Sequence, residues 1–373
     1  MPREEEAMKK LCITLLFSAL LCGCNATKQG ASMPAPTPTP ATATVAAGTY
    51  PCAVAVNSVT NHAYVANENS NNVTVIDGTT NNTTTVATGT GPSAVAVNPN
   101  TNQIYVANSG SNNLTVIDGA TNNTTTVATG TGPSAVAVNP NTNQIYVANF
   151  NSNNVTVIDG ATNNTTTVAT GTGPDAVAVN SATNQIYVVN GNGLANSGNV
   201  TVIDGATNNT TTVAVGGYPY AVAANPTTNQ IYVVNSCLDV CFSGSVTVID
   251  GATNNTTTVA TGNTPLAVAV NPNTNQIYVA NASGNVTVID GATNNTTTVA
   301  DGGAPWAVAV NPNTNQIYVA NFNSNNVTVI DGATNNTTTV ATGTGPRAVA
   351  VNPNTNQIYV ANTNSNNVTV LTP

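Results

Sequence analysis

The chain repeats one unit eight times, and this repetition limits what it can fold into. A Tyr-Val motif marks each copy, at Tyr64, Tyr105, Tyr146, Tyr187, Tyr232, Tyr278, Tyr318 and Tyr359. Successive tyrosines are separated by 41, 41, 41, 45, 46, 40 and 41 residues. A unit of this length buries its apolar face only by stacking on its neighbours, so the period predicts a β-propeller or another array of short units.

Within the unit that begins at Pro133, four segments read as strands: SAVAVN, QIYVAN, NVTVID and TTTVATG. The first is a run of small apolar residues, typical of an inner strand covered on both faces, and the last is Thr-rich, as an outer edge should be. The links NPNTN and DGATNN contain strong turn formers. Because no segment has helical periodicity, we predict an all-β propeller with one four-stranded blade per unit. A solenoid is the alternative, although its repeats are usually shorter.

The motif IYVAN followed by NNVTVIDGATN resembles the YVTN family of β-propeller repeats, found in archaeal surface-layer proteins and bacterial envelope proteins. The resemblance covers residues 42–373, with Ala in place of the family's first Thr, or Val at Val189 and Val234. It implies a propeller in an extracytoplasmic setting. It implies no shared catalytic residues, so none are assigned from it.

The two ends of the repeat array predict how the ring closes. The final unit reaches Pro373 after its third strand, and the segment TATVAAG at Thr42–Gly48 matches the missing fourth strand. We expect this N-terminal strand to complete the last blade and to hide its edge. The prediction is eight blades, although propellers of this family often have seven. The predicted blades start near residues 51, 92, 133, 174, 219, 265, 305 and 346.

The N-terminal residues read as a targeting segment. Residues 8–23 contain two lysines and an apolar core of 11 residues, which is too short to span a bilayer but fits a signal peptide. The sequence LCGC resembles a bacterial lipobox, in which Cys24 receives the lipid; an ordinary signal peptide is the alternative. Residues 1–7 fit no signal and are interpreted as an upstream extension. Residues 24–41 then form a Pro/Thr-rich tether.

Charge narrows the possible partners. After residue 10 the chain has two cations, Lys28 and Arg347, against 11 acidic residues. Two cations cannot neutralise a run of phosphates, so we predict no nucleic-acid binding and membrane contact only through the lipid anchor. The predicted setting is the cell envelope, at the outer membrane if the host is Gram-negative. We expect a monomer whose partner is an envelope protein, a glycan or a small polar ligand.

The copies differ mainly on one rim of the predicted ring, formed by the second-to-third loop and the link between blades. The residue after each blade's proline forms a varied column: Cys52, Ser93, Ser134, Asp175, Tyr220, Leu266, Trp306 and Arg347. The predicted binding residues are Asp175, Tyr218, Tyr220, Leu266, Asp301, Trp306 and Arg347. Drift of exposed loops is the alternative. Against drift, equally exposed loops on the opposite rim hardly vary, and Tyr, Trp and Arg often anchor interfaces.

Other reactive side chains carry weaker signals. Cys237 and Cys241 are close enough in sequence for a local disulfide outside the cytoplasm, with free thiols or metal ligation as alternatives. Cys52 is then unpaired, and the only histidine, His62, replaces a repeat glutamine. An aspartate recurs before Gly in seven units, but each stands alone, so turn capping explains it better than calcium binding. We predict no metal and no cofactor.

These features predict a binding module that acts through its varied rim. A surface-layer or adhesion-type scaffold is the second interpretation. A hydrolase or lyase is the third, because only Asp175, Asp301 and Arg347 offer charged groups near the mouth and no His–Glu pair or metal cluster is evident. The expectation is therefore a protein without enzymatic activity.

Overall fold

The computed structural model describes residues 40–191, 198–236 and 244–372. These residues form 32 β-strands, arranged as eight antiparallel four-stranded sheets. Within the described ranges, no helix has the length and hydropathy needed to cross a bilayer. The predicted signal peptide, the lipidation site Cys24 and the predicted Cys237–Cys241 disulfide lie outside the described residues.

Each blade begins with a strand that starts at a proline, where the missing N–H suits the first position of a strand. These first strands are β2 (Pro51–Asn57), β6 (Pro92–Asn98), β10 (Pro133–Asn139), β14 (Pro174–Asn180), β18 (Pro219–Asn225), β22 (Pro265–Asn271), β26 (Pro305–Asn311) and β30 (Pro346–Asn352). Each contacts the first strands of both neighbouring blades, and β30 contacts β2, so the eight strands surround a central channel.

The second and third strands are the most buried, because a blade lies on either side of them. The second strands are β3 (His62–Asn67), β7 (Gln103–Asn108), β11 (Gln144–Asn149), β15 (Gln185–Asn190), β19 (Gln230–Asn235), β23 (Gln276–Asn281), β27 (Gln316–Asn321) and β31 (Gln357–Asn362). The third strands are β4 (Asn72–Asp77), β8 (Asn113–Asp118), β12 (Asn154–Asp159), β16 (Gly198–Asp204), β20 (Ser245–Asp250), β24 (Asn285–Asp290), β28 (Asn326–Asp331) and β32 (Asn367–Thr372).

The fourth strands form the outer edges and expose their threonines. In chain order they are β5 (Thr83–Ala87), β9 (Thr124–Ala128), β13 (Thr165–Ala169), β17 (Thr210–Val215), β21 (Thr256–Ala260), β25 (Thr296–Ala300) and β29 (Thr337–Ala341). The eighth fourth strand is β1 (Ala41–Ala46), which pairs with β32 from Ala41 opposite Thr372 to Ala46 opposite Asn367. The predicted fold class is confirmed: the propeller has eight blades, closed by its N-terminal strand, and the seven-bladed alternative is wrong.

The hydrophobic core consists of eight clusters, one at each interface between blades. At the interface between the second and third blades, Tyr105 and Leu114 pack against Ile145 and Val147. The closing interface uses the same pattern, with Val45 from β1 in the cluster. The apolar face of each blade is therefore covered only by its neighbour, as the repeat period predicts.

Asparagines hold the blades together on the rim where the loops hardly vary. The last asparagine of each first strand donates its Nδ2 to the Oδ1 of a turn asparagine in the next blade, at 2.7–2.9 Å. The eighth such bond, from Asn352 to Asn61, closes the circle. The accepting turn asparagines have φ between 54° and 60°, a left-handed conformation that Asn tolerates. We call this face the stapled rim.

Candidate functional site

The opposite face, which we call the varied rim, is built from the links between blades and the second-to-third loops. Phe150 N donates to the carbonyl of Gly132 at 2.9 Å, and Asn151 N donates to that of Thr131 at 3.1 Å, so loop and link lie side by side. The residue after each proline therefore lies at the start of an innermost strand, at the mouth of the channel.

Three small residues of the varied column tie neighbouring blades together. Ser93 Oγ donates to the carbonyl of Pro133 at 2.9 Å, and Ser134 Oγ donates to that of Pro174 at 3.0 Å. Cys52 Sγ makes the equivalent contact with the carbonyl of Pro92 at 3.3 Å. Burial, the largest effect, raises the pKa of the Cys52 thiol to about 12, so it stays protonated and serves the role of a serine.

A cavity of about 560 Å³ opens at the mouth of the channel on this rim. Its lining residues are Cys52, Glu68, Ser93, Ser109, Gly132, Pro133, Ser134, Phe150, Asn151, Asp175, Tyr220 and Arg347. Six of the eight positions in the varied column are in this set. The cavity is within the size range of small-molecule sites and contains carboxylates, one guanidinium, hydroxyls and two aromatic rings.

Arg347 is held in place by aromatic side chains. Its Nη1 donates to Tyr50 Oη at 2.8 Å, and its guanidinium carbon lies 5.4 Å from the centre of the Tyr50 ring. The same carbon lies 5.8 Å from the Trp306 ring, which packs on Phe322 at 5.3 Å between ring centres. Cation–π contacts and one hydrogen bond therefore restrain the guanidinium while leaving most of its five N–H donors available.

Tyr50 adopts a backbone conformation that favours glycine. Its φ is 60°, whereas the equivalent residues of other blades include Gly91, Gly132 and Gly173, with φ of 63–64°. The backbone role is unchanged, because Tyr50 N donates to Asn366 Oδ1 at 2.9 Å as Gly91 N does to Asn71 Oδ1. Tyr50, the hydrogen-bond partner of Arg347, therefore has a locally strained backbone.

Asp175 is the second charged group from the varied column in this cavity. Burial raises the pKa of its carboxyl, and among residues 40–191, 198–236 and 244–372 no hydrogen bond or ion pair offsets the cost of desolvation. Burial and the Asp175 carboxylate raise the pKa of Tyr220, whereas the Arg347 guanidinium lowers it. Tyr220, which is 37% exposed, therefore lies within electrostatic reach of both charges.

The structure does not bring every predicted binding residue into the cavity. Asp175, Tyr220 and Arg347 line it, and Trp306 lies behind Arg347. Leu266 is only 8% exposed, and Tyr218 has a left-handed backbone with φ of 49° in the link before Pro219. Asp301 accepts a 3.3 Å hydrogen bond from Asn321 Nδ2 of the next blade and is absent from the cavity lining.

Glu68 and Ser109 were missed as lining residues by the sequence analysis. Together with Phe150 they occupy the position directly after the second strand, where the eight units read Glu68, Ser109, Phe150, Gly191, Ser236, Ala282, Phe322 and Thr363. This position is a second varied column. Its variation among the units is the sequence signal for Glu68 as the second acid at the mouth.

Aspartates of the stapled rim stabilise turns. Asp118 Oδ1 accepts hydrogen bonds from the backbone N–H groups of Ala120 and Thr121, at 2.8 and 3.0 Å, and these bonds lower its pKa. Shallow clefts of about 490 and 480 Å³ lie beside such turns, the first lined in part by His62 and Asp77. Within the described ranges, no cluster of three or more His, Cys, Asp or Glu side chains is placed to hold a metal ion.

Comparisons with known proteins support the β-propeller fold. A family model described as "Lactonase, 7-bladed beta-propeller" matches residues 26–163, less than half of the chain. The hydrazine synthase of Kuenenia stuttgartiensis contains a similar chain, with a TM-score of 0.64, 20% identity, and coverage of 92% of this chain and 98% of that one. No curated protein matches the sequence. The lactonase similarity leaves the predicted lack of enzymatic activity unconfirmed.

Proposed function

We propose that this protein is a binding module that takes up a small polar ligand at the mouth of its channel. The observation that supports this proposal is convergence. Six residues of the varied column, together with Glu68 from a second loop, line one cavity that contains groups of both charge signs. If the exposed loops had drifted independently, we would not expect Arg347, the only cation after residue 28, to contact two aromatic rings, Tyr50 and Trp306.

We propose further that the propeller is lipid-anchored in the cell envelope. The support is the LCGC sequence at the end of the apolar segment, followed by a Pro/Thr-rich stretch. An anchored propeller with a ligand site at its mouth would keep that site near the membrane surface. Intact-mass measurement of the protein from membranes tests the anchor, because acylation at Cys24 adds diacylglycerol mass that Cys24→Ser removes.

A ligand screen tests the binding proposal. The purified protein is scanned for a rise in its unfolding temperature against libraries of glycans, short peptides and small polar metabolites. Ligands of the mouth should stabilise the wild type and lose affinity by about tenfold or more in Trp306→Ala, because the aromatic support of Arg347 is removed. His62→Gln is the matched control, since it restores the repeat residue on the stapled rim.

Two results would contradict the proposal. One is a ligand whose affinity is unchanged in Trp306→Ala and Arg347→Gln, which would place binding elsewhere. The other is binding only to insoluble cell-wall material, equally by all variants, which would favour the surface-layer or adhesion-type scaffold.

Lactone hydrolysis is a second candidate function, favoured by the family model that matches residues 26–163. Asp175 is the carboxyl in the cavity whose pKa is raised by burial, and a carboxyl with a raised pKa is a candidate for proton transfer. The test is turnover of a panel of lactones and esters by the purified protein. Turnover that Asp175→Asn abolishes would support a hydrolase, whereas the same rate in both proteins would exclude Asp175 as its acid or base.

A further inference from the structure

The mouth cavity combines opposite charges without neutralising them. Arg347 lies in the eighth blade, Asp175 in the fourth and Glu68 in the first, so the cation and Asp175 start from opposite sides of the ring. The guanidinium bonds Tyr50 Oη, a neutral group, and the cause of the raised pKa of Asp175 is desolvation alone. Both charged groups are half-buried, and neither has a counter-ion among the residues that the structure describes, which is costly unless a ligand supplies one.

The rigid placement of Arg347 indicates recognition of an oxyanion. A guanidinium presents five donors in a planar fork that matches a carboxylate, and here two aromatic rings and one hydrogen bond restrain it. Tyr50 supports the guanidinium from a left-handed backbone conformation that is energetically unfavourable for a non-glycine residue. A simple anion, however, would also meet the carboxylates of Asp175 and Glu68 in the same cavity, and their repulsion would weaken its binding.

A simple cation meets the converse difficulty. Asp175 and Glu68 would attract an ammonium group, but Arg347 in the same lining would repel it. Only a ligand that carries both signs, on groups far enough apart to reach opposite sides of the mouth, satisfies both Arg347 and Asp175. An α-amino acid carries both charged groups on one carbon atom, whereas a peptide adds about 3.3 Å per extended residue between its termini.

We propose that the mouth binds a short peptide with free termini, its carboxylate on Arg347 and its ammonium group at Asp175. This inference rests on the proposed binding function and names its ligand class. The volume of about 560 Å³ accommodates a few small residues, and Phe150 and Tyr220 offer apolar surface to their side chains. The hydroxyls of Ser93 and Ser134 donate to carbonyls of the next blade and that of Ser109 donates to the carbonyl of Gly91, so the charged ends supply the recognition.

Calorimetric titration with four forms of trialanine tests the proposal: free, N-acetylated, C-amidated and doubly blocked. Binding should be tightest for the free peptide, and each block should weaken it by about tenfold to a hundredfold, because each removes one charge-assisted interaction. Arg347→Gln should lose sensitivity to C-amidation and keep sensitivity to N-acetylation. Asp175→Asn should show the reverse. His62→Gln should behave as wild type.

The ratio of blocked to free affinity within one variant does not depend on how much of that variant is folded, so a poorly folding variant still gives a result. If trialanine fails to bind while the screen finds a neutral glycan or a singly charged ligand whose binding needs Trp306, the peptide inference is overturned and the binding function stands. If no ligand needs Trp306 or Arg347, both fail. Equal sensitivity to both blocks in Arg347→Gln would also overturn the assignment.

Discussion

At the scale of single residues, the varied rim differs from the stapled rim in how it uses left-handed backbone. On the stapled rim, the residues with positive φ in the turns are asparagines, which tolerate that conformation. On the varied rim, asparagines such as Asn71 do the same in the second-to-third loops, but in the links Tyr50, Tyr218 and Thr264 occupy it, with φ of 60°, 49° and 51°. Residues with a bulky or β-branched side chain are strained in this conformation, so these positions carry a conformational energy cost that glycine or asparagine would avoid.

Thr264 gives a direct measure of that cost. Replacing Thr264 by Asn should raise the free energy of unfolding by about 1 kcal/mol, because a β-branched residue is especially unfavourable at φ of 51°. Equilibrium denaturation with guanidinium measures the change. Thr90→Asn is the control, since Thr90 lies in an equivalent link and is absent from the residues with positive φ. A loss of stability in Thr264→Asn would show that its side chain makes contacts worth more than the strain.

Asp175 should make stability depend on pH. Burial raises its folded pKa, so the folded state binds this proton more tightly, and the free energy of unfolding falls as pH rises from the ordinary Asp value of about 3.9 through the raised one. Asp175→Asn should therefore be more stable than wild type at pH 7, with the difference shrinking towards pH 4. Thermal unfolding from pH 3 to 7 measures it.

Asp118 should give the opposite dependence of stability on pH in the same experiment. Backbone hydrogen bonds from Ala120 and Thr121 lower its pKa in the folded state. Its contribution to the free energy of unfolding is therefore present at pH values above the ordinary Asp pKa, and is lost as pH falls through the folded-state pKa. Asp118→Asn should show its largest deficit at neutral pH. Parallel profiles for Asp118→Asn and Asp175→Asn would contradict the assignment of burial as the cause at Asp175.

At the scale of strands and turns, the stapled rim explains why its loops hardly vary. Each first-to-second turn supplies an asparagine that bonds the preceding blade, so a change there breaks an interface. The low sequence variation of the stapled rim therefore has a structural cause. The difference in variability between the rims is therefore not by itself evidence of function. The evidence is that the variable side chains of the varied rim converge on one cavity.

Asn139 tests the staple. Its Nδ2 donates to Asn184 Oδ1 at 2.7 Å, its Oδ1 accepts from Asn141 N at 3.1 Å, and the residue is fully buried. Asn139→Ala should cost about 1–3 kcal/mol, because partners are left without their hydrogen bonds. Asn141→Ala, in the same exposed turn, loses only its bond to the carbonyl of Ser181 and should cost less. Chemical denaturation compares them, and equal losses would argue against the staple.

At the scale of the whole molecule, the ring is a circular array whose stability is shared among eight interfaces. The closing blade differs from the others because its strands come from both ends of the chain. Val45 of β1 fills the position that a fourth-strand valine fills elsewhere, and is 6% exposed. Without β1, the edge of β32 would be free to pair with another chain.

Removal of β1 should therefore lower stability and promote association. A chain starting at Gly48 should unfold at lower temperature and form dimers or larger species through the β32 edge, whereas one starting at Pro40, which keeps β1, should remain monomeric. Thermal unfolding and sedimentation velocity compare the two chains. The same melting temperature and mass for both would show that ring closure does not require β1.

The amino-acid sequence by itself determined the architecture of this protein. Eight near-identical units, each with four β-branched segments and turns of Asn, Asp and Gly, can bury their apolar faces only against one another, and the TATVAAG segment identified the closing strand. The sequence also located the varied column, because residues after equivalent prolines must lie on one rim. Both features follow from the repeat, because position within a unit determines position in the ring.

Tertiary structure alone decided which varied residues form a site. Leu266 packs into the interior, Asp301 turns to Asn321, and Glu68 joins the cavity from another loop, because side-chain direction depends on packing around the ring rather than on place within a unit. The support of Arg347 by Tyr50 joins residues 297 positions apart in sequence. Such a contact exists only once the ring closes, because closure brings the first blade beside the eighth.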